Sequence, residues 1–170
     1  MSKPIPAPGT PPTQRVAGWE LPPYRFVPGI HPHPFRHPDG HMYTDGSAPS
    51  QPPWDPKVAW HADRTWLRGL DLFDHRYYWE SHECWEAIWH SVPRKTSFSL
   101  LLQGLIQAAA YLLKAHMKHH EAAARLRLVS IEKLSEVLAA EAMPYRGVNL
   151  NHFIAQLNAF ESSQAWPRLD

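Results

Sequence analysis

The segment Trp79-Glu80-Ser81-His82-Glu83-Cys84-Trp85-Glu86-Ala87-Ile88-Trp89-His90 concentrates more potential chemistry than any other stretch of the chain. Wound at about 100° per residue, it places Glu80, Glu83, Glu86, His82 and His90 on one face, with Trp79 among them. Tyr78, Cys84, Trp85, Ile88 and Trp89 fall on the other arc. Three carboxylates and two imidazoles thus share a face, and no lysine or arginine on the same helix neutralises them. Close carboxylates in a desolvated setting raise one another's pKa, which suits a general acid or base. Glu83, Glu86 and His82 are the candidates for that catalytic role. His82, Glu86 and His90 stand at i, i+4 and i+8, and imidazole with carboxylate is a donor set for zinc, manganese or iron. A divalent metal is therefore the cofactor this face could take, its identity open. The spacing is neither the H-E-x-x-H of zinc proteases nor the E-x-x-H of di-iron bundles. The same residues also read as a solvated acidic face, or as a buried network held by amides of a neighbouring helix. In the network reading Gln103 and Gln107, one turn apart, donate to Glu83 and Glu86. Cys84, on the apolar arc, reads as a small buried side chain.

These side chains need elements to hold them, and the periodicity predicts an all-α fold. Helices are expected over about 57–75, 77–91, 95–117 and 120–141, with a fifth capped by Asn149. The first opens on Asp55-Pro56, an N-cap with proline at the first helical position. The third has only Gln103, Gln107 and Lys114 as strongly polar residues between Phe98 and Ala115. It is therefore expected at the centre, with Leu102, Leu105, Ile106, Ala109, Leu112 and Leu113 buried. Val148 and Phe153 flank Asn149 as a hydrophobic staple. Residues 57–170 should thus form a compact bundle of about five helices.

Fifteen of the 18 prolines lie in residues 1–56, so this part is neither regular helix nor central strand. Residues 1–18 read as a mobile tail rich in Pro, Ala, Gly and Thr. Residues 19–56 read as an extended arm, because Trp19, Tyr24, Phe26, Val27, Ile30, Phe35 and Trp54 need a surface to pack on. The arm also carries His33, Arg36 and His41. Charge complementarity places residues 22–43 over the acidic face of the second helix, covering Trp79. Arg36 is expected to pair with Glu80, Glu83 or Glu86, and His33 or His41 to bond a carboxylate.

Seventeen Lys and Arg stand against 16 Asp and Glu, a net charge of +1 that argues against a nucleic-acid partner held by bulk charge. The single cysteine excludes an internal disulfide and fits a reducing, cytoplasmic setting. No secretory h-region opens the chain, and no uninterrupted apolar run reaches membrane-spanning length. A homo-oligomer stays open.

Two runs carry a resemblance. Gly69-Leu-Asp-Leu-Phe followed by Tyr78-Trp79-Glu80-x-His82-Glu83-x-x-Glu86-x-x-Trp89, and then Leu102-Gln103-Gly104-Leu105-Ile106-Gln107-x-Ala109-Ala110, resemble the signature of the domain of unknown function 309 family. The resemblance implies a small helical bundle and no particular reaction. It implies that Glu80, His82, Glu83, Glu86, Trp89, Gln103 and Gln107 belong to a shared pattern. Two turns depart from it: His75-Arg76 and Lys118-His119-His120 stand where such chains often carry glycine. The functional expectation is a Glu/His/Gln polar site between helices two and three that takes a small molecule or a metal. The alternative is a helical interaction module, with consecutive hairpins resembling tetratricopeptide repeats and a merely structural cluster.

Overall fold

The computed structural model describes residues 3–44 and 54–169. Five helices follow in order: α1 (Arg64–Asp74), α2 (Tyr78–Ser91), α3 (Ser97–His116), α4 (His120–Ala140) and α5 (Leu150–Ser163). The described residues contain no strand, only an isolated bridge between Tyr145 and Val148.

Helix α1 starts later than the Asp55-Pro56 signal suggests. Asp55 accepts the amide of Lys57 at 2.9 Å and so closes a local turn instead of a helix. Residues 57–62 then stay exposed, Val58 and Trp60 each at 38 %, so no buried stripe holds them helical. Asp63 supplies the cap, its Oδ1 accepting from Trp66 N at 3.0 Å. The other helix starts sit where caps and periodicity put them. Thr96 caps α3 through Ser99 N, and Asn149 caps α5 through His152 N, with Val148 and Phe153 both buried beside it.

Helix α3 is central, packing on α2 on one side and α4 on the other. Leu101, Leu102, Leu105, Ala108, Ala109 and Leu112 are fully buried; Ile106, expected with them, is only half-buried. By length and composition α3 could cross a bilayer, but its apolar arc is spent inside the bundle. Two glycines permit the close approaches. Gly69 faces the Trp85 indole and Gly104 faces the Leu134 side chain, leaving no room for a Cβ at either. Trp85 in turn packs on Trp66 and Phe73.

The two turns without glycine keep glycine-like backbone. Arg76 (φ 65°) and Lys118 (φ 61°) both adopt the left-handed conformation that a β-carbon disfavours.

Residues 3–18, expected to be a mobile tail, lie against the bundle. Ile5 and Val16 are buried. Asp71 accepts the amides of Arg15 and Val16 at 2.8 and 2.9 Å, and the Arg15 guanidinium reaches Asp74 at 2.7 Å. The far end of the expected arm, residues 45–53, lies outside the described residues.

Candidate functional site

The arm crosses α2 through aromatic rings and one carboxylate. Phe26, His33 and Phe35 surround Trp79, with ring centroids 5.1, 5.5 and 5.5 Å away. Three arm imidazoles cap the arm's own backbone: His31 Nδ1 accepts from Val27 N, His33 Nδ1 from Phe35 N, and His37 Nδ1 from Asp39 N. In a proline-rich segment this gives amides a partner that no helix or sheet supplies.

Arg36 does not form the expected ion pair. It is exposed and pairs with none of Glu80, Glu83 or Glu86. The arm instead serves α2 through backbone: Phe26 N donates to Glu80 Oε1 at 3.0 Å. Arg25 turns the other way, donating to the His75 carbonyl at 2.8 Å and lying 4.5 Å over the Tyr77 ring.

Glu80 separates from the other acidic groups of its helix. It is 4 % exposed, and burial pushes its carboxyl up to about 7 against weaker opposing pulls from its own amide, the Phe26 amide and Arg25. His41 Nε2 lies 3.5 Å from Glu80 Oε1, an ion-pair distance without hydrogen-bond geometry. Burial, with the nearby His31 second, pushes the His41 imidazole down to about 4. Tyr24 fixes this histidine: its hydroxyl accepts from His41 N at 3.2 Å and its ring packs edge-on 4.5 Å away.

Both residues line a cleft of about 570 Å³ between the arm, α1 and α2. Trp19, Pro22, Pro23, Met42 and Leu72 form its apolar wall, and Arg64, Arg68 and Cys84 complete it from the bundle side. Among the described residues, Glu80 Oε2, both ring nitrogens of His41 and Arg68 Nη1 are buried without a hydrogen-bond partner. Burial raises the Cys84 thiol to about 12, and its sulfur lies 3.3 Å from the Thr65 carbonyl, so it stays a protonated wall group.

The remaining expected residues form a second, outer group. One ligand atom each of His82, Glu83 and Glu86 lies within 4.8 Å of the others, all three half-buried, with His82 Nδ1 3.3 Å from Glu83 Oε1. His90 is exposed, its ring against Trp89, and stands outside this group. The Trp89 face carries the Arg94 guanidinium at 3.6 Å. The amide network is not made: neither Gln103 nor Gln107 bonds Glu83 or Glu86, and Gln107 Oε1 is buried without a partner among the described residues. Both glutamines lie with Ile106 and Ala110 on the half-buried arc of α3.

Sequence reasoning passed over Trp19, Met42 and Arg68. One signal was present: Arg64 and Arg68 stand at i, i+4 on α1, a like-charge pair that an isolated helix disfavours.

Residues 66–126 match the model of a family described as Domain of unknown function (DUF309). No curated protein and no solved structure matches the chain. The matched span holds Arg68, Leu72, Glu80 and Cys84, whereas Trp19, His41 and Met42 come from the arm outside it.

Proposed function

We propose that this DUF309-family protein is a small-molecule-binding helical bundle whose site is the cleft between the arm, α1 and α2. The carrying observation is the set of polar atoms on three residues of one cleft that are buried and have no partner among the described residues: Glu80 Oε2, the His41 ring nitrogens and Arg68 Nη1. Each such atom costs about 1–3 kcal/mol while nothing bonds it. A ligand or ordered water in the cleft removes that cost, and convergent polar groups in an apolar cleft are the usual form of a binding site. The Glu80–His41 pair gives the site proton chemistry. Near neutral pH the carboxyl exchanges its proton readily while the imidazole is neutral, which puts general acid–base work within reach.

Ligand-observed fragment screening, read alongside methyl resonances of labelled methionine, tests this. Fragments that shift the Met42 methyl, and lose that shift in Glu80→Gln or Arg68→Gln, are expected. A screen in which no fragment moves Met42 would overturn the reading.

The outer group supports a second reading, a divalent cation held by His82, Glu83 and Glu86. The 4.8 Å grouping of an imidazole and two carboxylates suits zinc, manganese or iron. Elemental analysis of the purified protein beside a Glu83→Gln variant decides it. Stoichiometric metal lost in the variant supports the cation; metal-free protein with an intact fold ends the reading.

A further inference from the structure

The cleft carries a charge pattern of its own. The Trp19 ring has two guanidiniums near it, Arg64 at 5.4 Å and Arg68 at 5.1 Å. Neither forms an ion pair among the described residues. Arg68 spends Nη2 on the Glu20 carbonyl at 2.6 Å, and its Nη1 is buried with no partner among the described residues. Two carboxylates also line the cleft, Glu20 and Glu80. The Glu20 side chain is exposed and forms no ion pair among the described residues, and Glu80 is buried with its Oε1 on the Phe26 amide. Two guanidiniums thus flank the Trp19 end of the cleft, against one exposed carboxylate.

Resting on the reading of this cleft as a ligand site, we infer that it selects a small organic monoanion: a carboxylate head on Arg68, with an apolar body against Trp19, Pro22, Met42 and Leu72. A guanidinium edge with a free N–H matches a carboxylate, and the pairing strengthens where water is excluded. The apolar wall takes a ring or a branched chain. A dianionic phosphate fits worse, because Glu20 repels the second charge and only one buried guanidinium donor waits for it.

Titration of isotope-labelled protein with phenylacetate, phenylacetamide and phenyl phosphate tests the inference. The readouts are the Trp19 indole N–H resonance, assigned through Trp19→Phe, and the Met42 methyl. Phenylacetate is expected to bind at least about tenfold more tightly than phenylacetamide or phenyl phosphate. Arg68→Gln is expected to abolish the preference, weakening phenylacetate far more than phenylacetamide. Arg64→Gln, at an exposed position, guards against misfolding of the first variant and is expected to weaken the preference without abolishing it. Equal binding of acid and amide would overturn the charge selection but leave the cleft as a ligand site. Tighter binding of the phosphate would also overturn it. Silence of both resonances with all three probes would overturn the inference, and silence across a wider fragment set would overturn the underlying reading as well.

Discussion

The carboxylate of Asp74 accepts the backbone amide of Leu169 at 2.7 Å, across 95 residues of sequence. Its other oxygen takes the Arg15 guanidinium, also at 2.7 Å. One buried side chain at the end of α1 therefore ties down segments from both ends of the chain. Asp74→Ala leaves a buried amide and a half-buried guanidinium without this acceptor. It is expected to cost about 3 kcal/mol, read by urea denaturation. A loss below about 1 kcal/mol would show that water replaces the carboxylate cheaply.

Glu80 should set the alkaline side of the stability profile. Its folded carboxyl keeps its proton up to about 7, against 4.5 for an ordinary one, so folding takes up a proton between those values and stability falls as pH rises. His41 acts in reverse: its folded imidazole titrates near 4 against 6.5, so stability falls as pH drops through that window. Glu80→Gln preserves an oxygen for the Phe26 amide and removes the titration. Its urea midpoint should gain on wild type from about pH 5 up to about pH 7 and level off above that. Parallel curves would show that the buried carboxyl is not perturbed.

The arm is held by rings, not by Arg36. Arg36→Ala should change stability by less than about 0.5 kcal/mol, because the side chain is exposed. Trp79→Ala should cost about 2–3 kcal/mol, since Phe26, His33 and Phe35 all pack on that indole. Limited proteolysis should then cut the arm of Trp79→Ala well before that of Arg36→Ala.

The turn between α3 and α4 offers a stabilising change. Lys118 is exposed and left-handed, so Lys118→Gly should raise stability by about 1 kcal/mol. Arg76→Gly should show no such gain. Its guanidinium donates to the Pro6 and Ala7 carbonyls and lies 5.2 Å over the Trp166 ring, and those contacts are lost with it.

The core itself gives the largest single-residue losses. Leu105→Ala and Leu112→Ala should each cost about 2–5 kcal/mol in thermal or urea unfolding, as both side chains are fully buried. Gly69→Ala should cost about 1–3 kcal/mol, because the new methyl meets the rigid Trp85 indole.

Helices α2 to α5 were legible because their signals are local: a 3.6-residue stripe, and Asn149 with its staple. The Asp55-Pro56 signal was local too, but a local turn satisfies it equally, and only the absence of buried contacts at 57–62 decides between the two. The tail could not be read from its own composition. What docks it is Asp71 and Asp74 on α1, more than fifty residues away. The site was half legible. His82, Glu83 and Glu86 group as the helical wheel suggests. Glu80, at the edge of that face, becomes buried only because the arm covers it, and no periodicity in α2 encodes what lies on top. Gln103 and Gln107 were assigned to the carboxylates by chemical complementarity, which says nothing of the direction in which their arc of α3 turns.

The straps that complete the cleft also order its assembly. The hairpins α1–α2 and α3–α4 close across short turns, residues 75–77 and 117–119, at little entropic cost. Phe26 reaches Glu80 across 54 residues, Arg15 reaches Asp71 across 56, and Leu169 reaches Asp74 across 95. Such distant contacts repay their loop closure only after the helices have paired. The cleft wall contributed by Trp19, His41 and Met42 is therefore expected to form late, after the helical hairpins. If the wall forms after the rate-limiting barrier, a compound that recognises only the finished cleft would leave the refolding rate unchanged and act by slowing unfolding.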